Sequence, residues 1–238
     1  MGLVHTPFHL FEGADAVAEE ATRRILLAAE QAVAERGRFH IVLAGGGTPQ
    51  SVYRRLAQFP AAWAAWRVYF GDERCLPADH PERNNVAATR TLLGQVPIPA
   101  QAVYAMAAEL GPEAAAAAYA PLVARALPFD LVLLGMGEDG HTASLFPGHA
   151  VPDGHLVIPV HDAPKPPADR VSLTPAALTS AREVLILVTG ASKREALAAW
   201  RDGADLPVAR VARAAPALVL VDRAAAGTDL APSPLPPT

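Results

Sequence analysis

Short apolar runs that end in glycine alternate along the chain with stretches of helical spacing. Val17, Ala21, Ile25, Ala28 and Ala32 recur every three or four residues, which predicts a helix over Ala14–Arg36. Asp15 and Glu19 near its start and Arg36 at its end suit the helix dipole, and Gly37 is the stop. Phe39–Ala44 reads as a strand running into Gly45-Gly46-Gly47-Thr48-Pro49, with Thr48 as N-cap and Pro49 as first residue of a short helix containing SVYRRLA. Val68–Phe70 is a further strand that ends in the polar segment Gly71–Pro77. After a polar loop over Asp79–Asn85, Asn84 or Asn85 caps a helix that reaches Leu93, and Val103-Tyr104 forms a small strand. Pro112–Leu127 is an alanine-rich helix in which Pro121 predicts a kink or break.

Phe129–His149 is the stretch around which the rest is organised. Leu131–Leu134 is uninterruptedly apolar and then breaks into glycines, as in a strand buried on both faces of a parallel sheet. Beyond it, His155–Val160 is a strand, Asp162–Asp169 an irregular loop, and Arg170–Thr174 an ordered segment with a helix start at Thr174-Pro175. Glu183–Thr189 is a strand, Lys193 to about Trp200 a helix, Val208–Arg213 a short helix, and Ala217–Val221 a last buried strand. The alternation predicts a Rossmann-like α/β fold, a mainly parallel sheet with helices on both faces. Residues 1–223 are expected as one domain, and the Pro-rich segment 224–238 as a flexible tail.

Composition narrows the partners. The chain has 238 residues, 51% of them hydrophobic, and a net charge of −4 from 20 basic and 24 acidic side chains. It has no basic run, so neither nucleic acid nor an anionic membrane is an expected partner. The single cysteine, Cys75, rules out an internal disulfide and suits a reducing cytoplasm. Neither a signal peptide nor an apolar run of about 20 residues is recognisable. Lys165 and Lys193 are the only lysines in a chain that otherwise uses arginine.

Ligands of open α/β sheets bind beyond the carboxyl ends of the strands, and several polar groups fall there. Gly45–Pro49 lies between strand and helix and suits an anion cradled by backbone N–H groups, or else a tight turn with an ordinary cap. It is not a Walker loop, because no Gly-Lys-Ser/Thr follows. Gly135-x-Gly137-x-x-Gly140 matches the dinucleotide fingerprint formally. Yet Pro147, Gly148, Pro152 and Gly154 interrupt the place of the crossover helix, so no dinucleotide cofactor is expected. Asp139 and His141 sit two apart in that turn, either as a carboxylate-oriented general base or as a loop histidine bonded to backbone. Asp72-Glu73-Arg74 ends another strand. Arg74 there suits a phosphate or carboxylate, or a salt-bridged loop. Lys193 begins a helix after a strand, Arg170 can reach an anion if the sheet brings it round, and Lys165 among its prolines reads as solvated. Cys75 reads as a packed thiol. The histidines lack metal-ligand spacing, so no metal is expected.

The segments LAGGGTP, FGDERCLP followed by ERNN, FDLVLLGMGEDGHTASLFPG, DRVSLT and TGASKREAL together resemble the 6-phosphogluconolactonases, in family order from about Leu43 to Leu197. The related glucosamine-6-phosphate deaminases typically read GHIAFNEP where this chain has Thr142-Ala143-Ser144-Leu145-Phe146-Pro147, and usually carry an aromatic in place of Arg74. The resemblance implies the superfamily shared with those deaminases and ribose-5-phosphate isomerase. It also implies hydrolysis of a sugar-phosphate lactone without metal or cofactor, by a monomer or weak homodimer. It makes His141 the base that activates water and Asp139 its orienting partner. Gly46, Gly47, Thr48, Asp72, Arg74, Arg170 and Lys193 are then the groups that bind substrate and its phosphate, the cations being interchangeable in role. An isomerase or deaminase on the same fold, a sugar-phosphate sensor and a dinucleotide enzyme are the competing expectations.

Overall fold

The computed structural model describes residues 7–227. Nine strands and eight α-helices are described: β1 Phe8–Phe11, α1 Ala14–Arg36, β2 Phe39–Leu43, α2 Gly47–Leu56, β3 Trp66–Phe70, β4 Asp72–Arg74, α3 Asn84–Ala88, α4 Pro112–Ala126, β5 Phe129–Gly135, β6 Val157–Val160, β7 Arg170–Leu173, α5 Pro175–Thr179, β8 Ala181–Val188, α6 Arg194–Arg201, α7 Pro207–Ala214, β9 Ala217–Asp222 and α8 Arg223–Ala226. Six strands form an all-parallel sheet in the order β1-β9-β8-β5-β2-β3.

The apolar run in β5 is central, as its lack of a polar face requires. Leu131, Val132 and Leu133 are wholly buried, and each such side chain contributes roughly 1.5–3 kcal/mol relative to exposure. Asp130 sits within this buried run because it is fully satisfied. Its carboxylate accepts the His40 N–H at 2.7 Å and pairs with Arg36 at 2.9 Å. Helices surround the sheet, α1 packing with α2 and α5 with α7.

The pattern-based expectation of a mainly parallel sheet holds for these six strands. The polar strand end β4 departs from it. With β7 and β6 it makes a separate three-stranded antiparallel sheet, in which Asp72 faces Ser172 and Arg74 faces Arg170. Gly71 joins the two layers, donating to Leu43 O at 2.9 Å and accepting from Leu173 N at 2.8 Å. The sheet edge β1, four residues of FHLF, is too short to show a period.

Three helix boundaries also differ from expectation. The α2 helix starts at Gly47 with Gly46 in the N-cap position, so Thr48 is not the cap; its hydroxyl pairs instead with the Thr189 hydroxyl at 2.5 Å. No asparagine side chain caps α3, because the buried Glu73 carboxylate reaches across to accept from the N–H groups of Asn84 and Asn85 at 2.8 and 3.0 Å. Pro121 does not break α4. It is exposed, as is Ala117, whose carbonyl loses the helical partner, so water can take that place. Order also runs past the expected domain end at 223. Asp222 caps α8 through Ala225 N, and Ala225 and Ala226 are buried. Residues 228–238 of the expected tail lie outside the described residues.

Candidate active site

The connection from β2 leads to β3 on one side of the sheet, and that from β5 leads towards β8 on the other. Such a reversal opens a crevice at the carboxyl ends of the two neighbouring strands. A cavity of about 200 Å³ lies there. Its wall takes Gly45 and Gly46 from the end of β2, and Gly135, Gly137 and His141 from the end of β5. Asp72 and Arg74 enter from β4, Asn84 from α3, Arg170 from β7, and Lys165 and Lys193 from loops. Larger hollows along α1, lined by Leu26, Glu30, Val33 and Phe59, hold none of these groups.

The turn after β5 folds back on itself. Gly137 N–H donates to His141 O at 2.8 Å, and Gly140 N–H to Gly137 O at 3.1 Å, with Gly140 at φ 80°. Thr142 Oγ1 donates to Gly135 O at 2.9 Å and closes the base of the turn. No helix occurs between 136 and 156, so the dinucleotide crossover is missing, as the prolines indicate. Gly137 has a steric reason to be glycine, since a Cβ there would overlap the His141 ring and Asp139 Oδ1.

His141 Nδ1 lies 2.5 Å from Asp139 Oδ1, and the same oxygen accepts the His141 backbone N–H at 3.1 Å. Partial burial works against the Asp139 anion, but the hydrogen bonds and charge of His141 outweigh it and hold the carboxyl below the usual carboxylate range. An ionised carboxylate can only accept, so Nδ1 carries a proton, and in the neutral imidazole Nε2 is then the nitrogen with the free lone pair. The ring packs against Phe146 at 4.8 Å between centroids. Asp139 itself stands behind the wall, and the imidazole faces the cavity.

Asp72 is buried beside the cavity, accepting from Ser144 Oγ at 2.6 Å and from Asn84 Nδ2 at 3.0 Å. Ser144 N–H in turn donates to Ser172 Oγ at 3.2 Å. Arg74 donates to the Glu82 carbonyl at 3.0 Å. Burial lowers the Lys193 ammonium pKa, which the charges of Glu138 and Asp139 partly offset. Burial also lowers that of Arg170, against the pull of Asp72. Arg170 directs Nε and Nη2 to backbone carbonyls of the 165–167 loop.

The structure therefore brings together Gly46, Asp72, Arg74, His141, Arg170 and Lys193. Gly47 and Thr48 lie in the first turn of α2 without reaching the wall. Pattern reading gives no site role to Asn84, Ser144 or Ser172, and Lys165 is exposed as expected but also lines the cavity. The scarcity of lysine was the one signal that could have found it. Cys75 is half-buried and its thiol is pushed up to about 11, first by burial and then by Asp169, which disfavours the nucleophilic thiolate. Among the described residues no group of three or more His, Cys, Asp or Glu side chains could hold a metal ion, and no helix is long and apolar enough to cross a membrane.

Residues 12–220 match the family model of glucosamine-6-phosphate isomerases/6-phosphogluconolactonase. The 6-phosphogluconolactonase of Streptomyces coelicolor is 42% identical over 233 residues, 88% of this chain and 89% of the relative. The solved structure of 6-phosphogluconolactonase from Thermotoga maritima superposes with a TM-score of 0.84 at 30% identity, over 92% of this chain and 99% of that one. A monomeric glucosamine-6-phosphate deaminase shares the fold, at a TM-score of 0.81 and 21% identity.

Proposed function

The chain belongs to the glucosamine-6-phosphate isomerase/6-phosphogluconolactonase family, and from that premise we propose that it hydrolyses 6-phospho-D-glucono-1,5-lactone to 6-phospho-D-gluconate, the second step of the oxidative pentose phosphate pathway. The observation that carries this reading is the Asp139–His141 pair, whose ring faces a cavity also lined by Arg74, Arg170 and Lys193.

Opening a lactone requires an activated water, a stabilised oxyanion and a proton for the ring oxygen. His141 Nε2 takes a proton from water as the oxygen attacks C1. Asp139 holds the ring in the tautomer that leaves Nε2 free and stabilises the imidazolium that forms. The tetrahedral intermediate collapses, the bond from C1 to the ring oxygen breaks, and the imidazolium returns its proton to that oxygen. Atoms balance as lactone plus water gives the hydroxy acid, which then ionises. Arg74 and Lys193 divide between the C6 phosphate and the developing oxyanion. The phosphate's nearly two negative charges suit the N-terminus of α2, which meets the wall at Gly46 with Gly47 and Thr48 behind it, together with Lys193. Arg74 is the nearer match to a bidentate anion contact.

The test is hydrolysis of freshly made phosphogluconolactone above its spontaneous rate. His141→Ala should lower kcat by at least ~100-fold, the lower end for a general base. Activity close to the parent's would remove His141 from the role. Ammonia release from glucosamine 6-phosphate without lactone hydrolysis would instead establish the deaminase reading.

A further inference from the structure

The loop from 161 to 169 links β6 to β7 and brings Lys165 to the cavity wall. It has no regular structure, yet it is fastened at its base and near its tip. His161 bridges Asp169 and Glu113 of α4, each at 2.8 Å, and Ala163 N–H donates to Ala168 O at 3.0 Å. Nearer the tip, Arg170 gathers successive carbonyls: Nη2 donates to Lys165 O at 2.8 Å and Nε to Pro167 O at 3.2 Å. Pro166 and Pro167 have no N–H to offer, so these carbonyls are the loop's polar handles. Arg170 is 6% exposed and stands over the Phe146 ring at 5.6 Å, so the clamp itself is rigidly seated.

Lys165 Nζ donates to Glu138 Oε2 at 2.9 Å and so links its own loop to the turn that carries His141. Glu138 also feels the charge of Lys193, after the hydrogen bond and charge of Lys165. Both partners of the Glu138–Lys165 pair are half-exposed, and pairs of this kind contribute little to stability. A phosphate monoester carrying nearly two charges competes well for the same ammonium.

We propose that Lys165 is a phosphate contact that exchanges Glu138 for the substrate's C6 phosphate, and that Arg170 is the positioning residue that holds Lys165 at the cavity. This deepens the lactonase reading and rests on it for the identity of the phosphorylated substrate. Lys165 is held by Glu138 until the incoming phosphate takes its place. Lys165 thus favours the phosphorylated lactone over its unphosphorylated analogue.

Lys165→Met keeps most of the side-chain stem and every carbonyl that Arg170 holds. It should raise KM for phosphogluconolactone about tenfold, as loss of one charge-assisted hydrogen bond does, with kcat within about twofold. Hydrolysis of glucono-1,5-lactone should not change. Glu138→Gln should lower KM for the phosphorylated lactone. Arg170→Lys should raise KM in the parent but add nothing in the Lys165→Met background. Parent-like KM in Lys165→Met, or equal losses on both lactones, would overturn the contact. Additive losses from Arg170→Lys would make Arg170 a direct ligand instead. Calorimetry with 6-phosphogluconate separates this from the lactonase reading. If the parent binds it through Lys165 yet hydrolyses no lactone, the contact stands and the reaction falls. If the parent hydrolyses lactone and Lys165→Met binds the product equally well, the reaction stands and the contact falls.

Discussion

Two glycine-rich turns end neighbouring strands, Gly45–Thr48 after β2 and Gly135–His141 after β5, and they begin alike in sequence. The first passes at once into α2, so its backbone N–H groups are gathered at a helix N-terminus, next to Gly45 and Gly46 of the cavity wall. The second is followed by no helix and spends the Gly137 N–H on its own return to His141. One turn presents backbone donors, and the other presents a side chain with a chosen tautomer. Glycines after a strand therefore only permit a tight path, and the residues that follow decide its chemistry. Pro49 sits in the first turn of a helix that begins at Gly47, whereas Pro147 and Pro152 interrupt the stretch after the second turn.

If the second turn exists to aim His141, crowding it should act on kcat. A methyl at Gly137 has no room beside the His141 ring and Asp139 Oδ1, so the pair must move. Gly137→Ala should lower kcat about 100-fold, the scale of an ångström of misplacement at a reacting centre. KM should change little, because the phosphate groups lie on other segments. A large KM rise with unchanged kcat would mean that this turn binds rather than reacts.

The first turn predicts the opposite split. Gly46 has φ 103° and ψ 168°, a conformation essentially restricted to glycine. Gly46→Ala should re-aim the donors at the start of α2 and raise KM for phosphogluconolactone roughly tenfold, the worth of one hydrogen bond to a charged group. Its kcat should fall far less than that of Gly137→Ala. Steady-state kinetics of the two variants side by side test the division, and identical splits would dissolve it.

How much of this could be read beforehand follows from range along the chain. β5 was legible because LVLL running into Gly135 allows little else, and Asp139 with His141 because the pair is two residues apart. The groups that support them come from far away. Asp72 meets Ser144 across 72 residues, and Glu73 caps a helix that begins 11 residues later. Lys165 reaches the cavity through a β-pairing and an Arg170 clamp that no local pattern encodes. The antiparallel sheet was missed for a simpler reason. Its strands have three or four residues, too few to show alternation.

The smallest expected effect concerns how each turn is anchored to its strand. After β5, Thr142 Oγ1 ties back to Gly135 O. After β2 the anchor is Tyr53 of α2, whose buried hydroxyl accepts the Ala44 N–H at 2.9 Å and donates to Ala44 O at 2.7 Å. Burial first of all pushes the Tyr53 phenol pKa upward, so the hydroxyl stays protonated and can serve both groups at once. Tyr53→Phe keeps the packing and removes both bonds. It should cost about 1–3 kcal/mol of stability in urea unfolding, the penalty for stranding buried polar groups. Ala44 is half-buried, so water can reach part of the gap and the lower end is expected. Because the helix start itself is unchanged, KM should rise less than for Gly46→Ala. A KM rise as large as that of Gly46→Ala would mean that the turn's donors are aimed by Tyr53 and not by the glycine's own backbone.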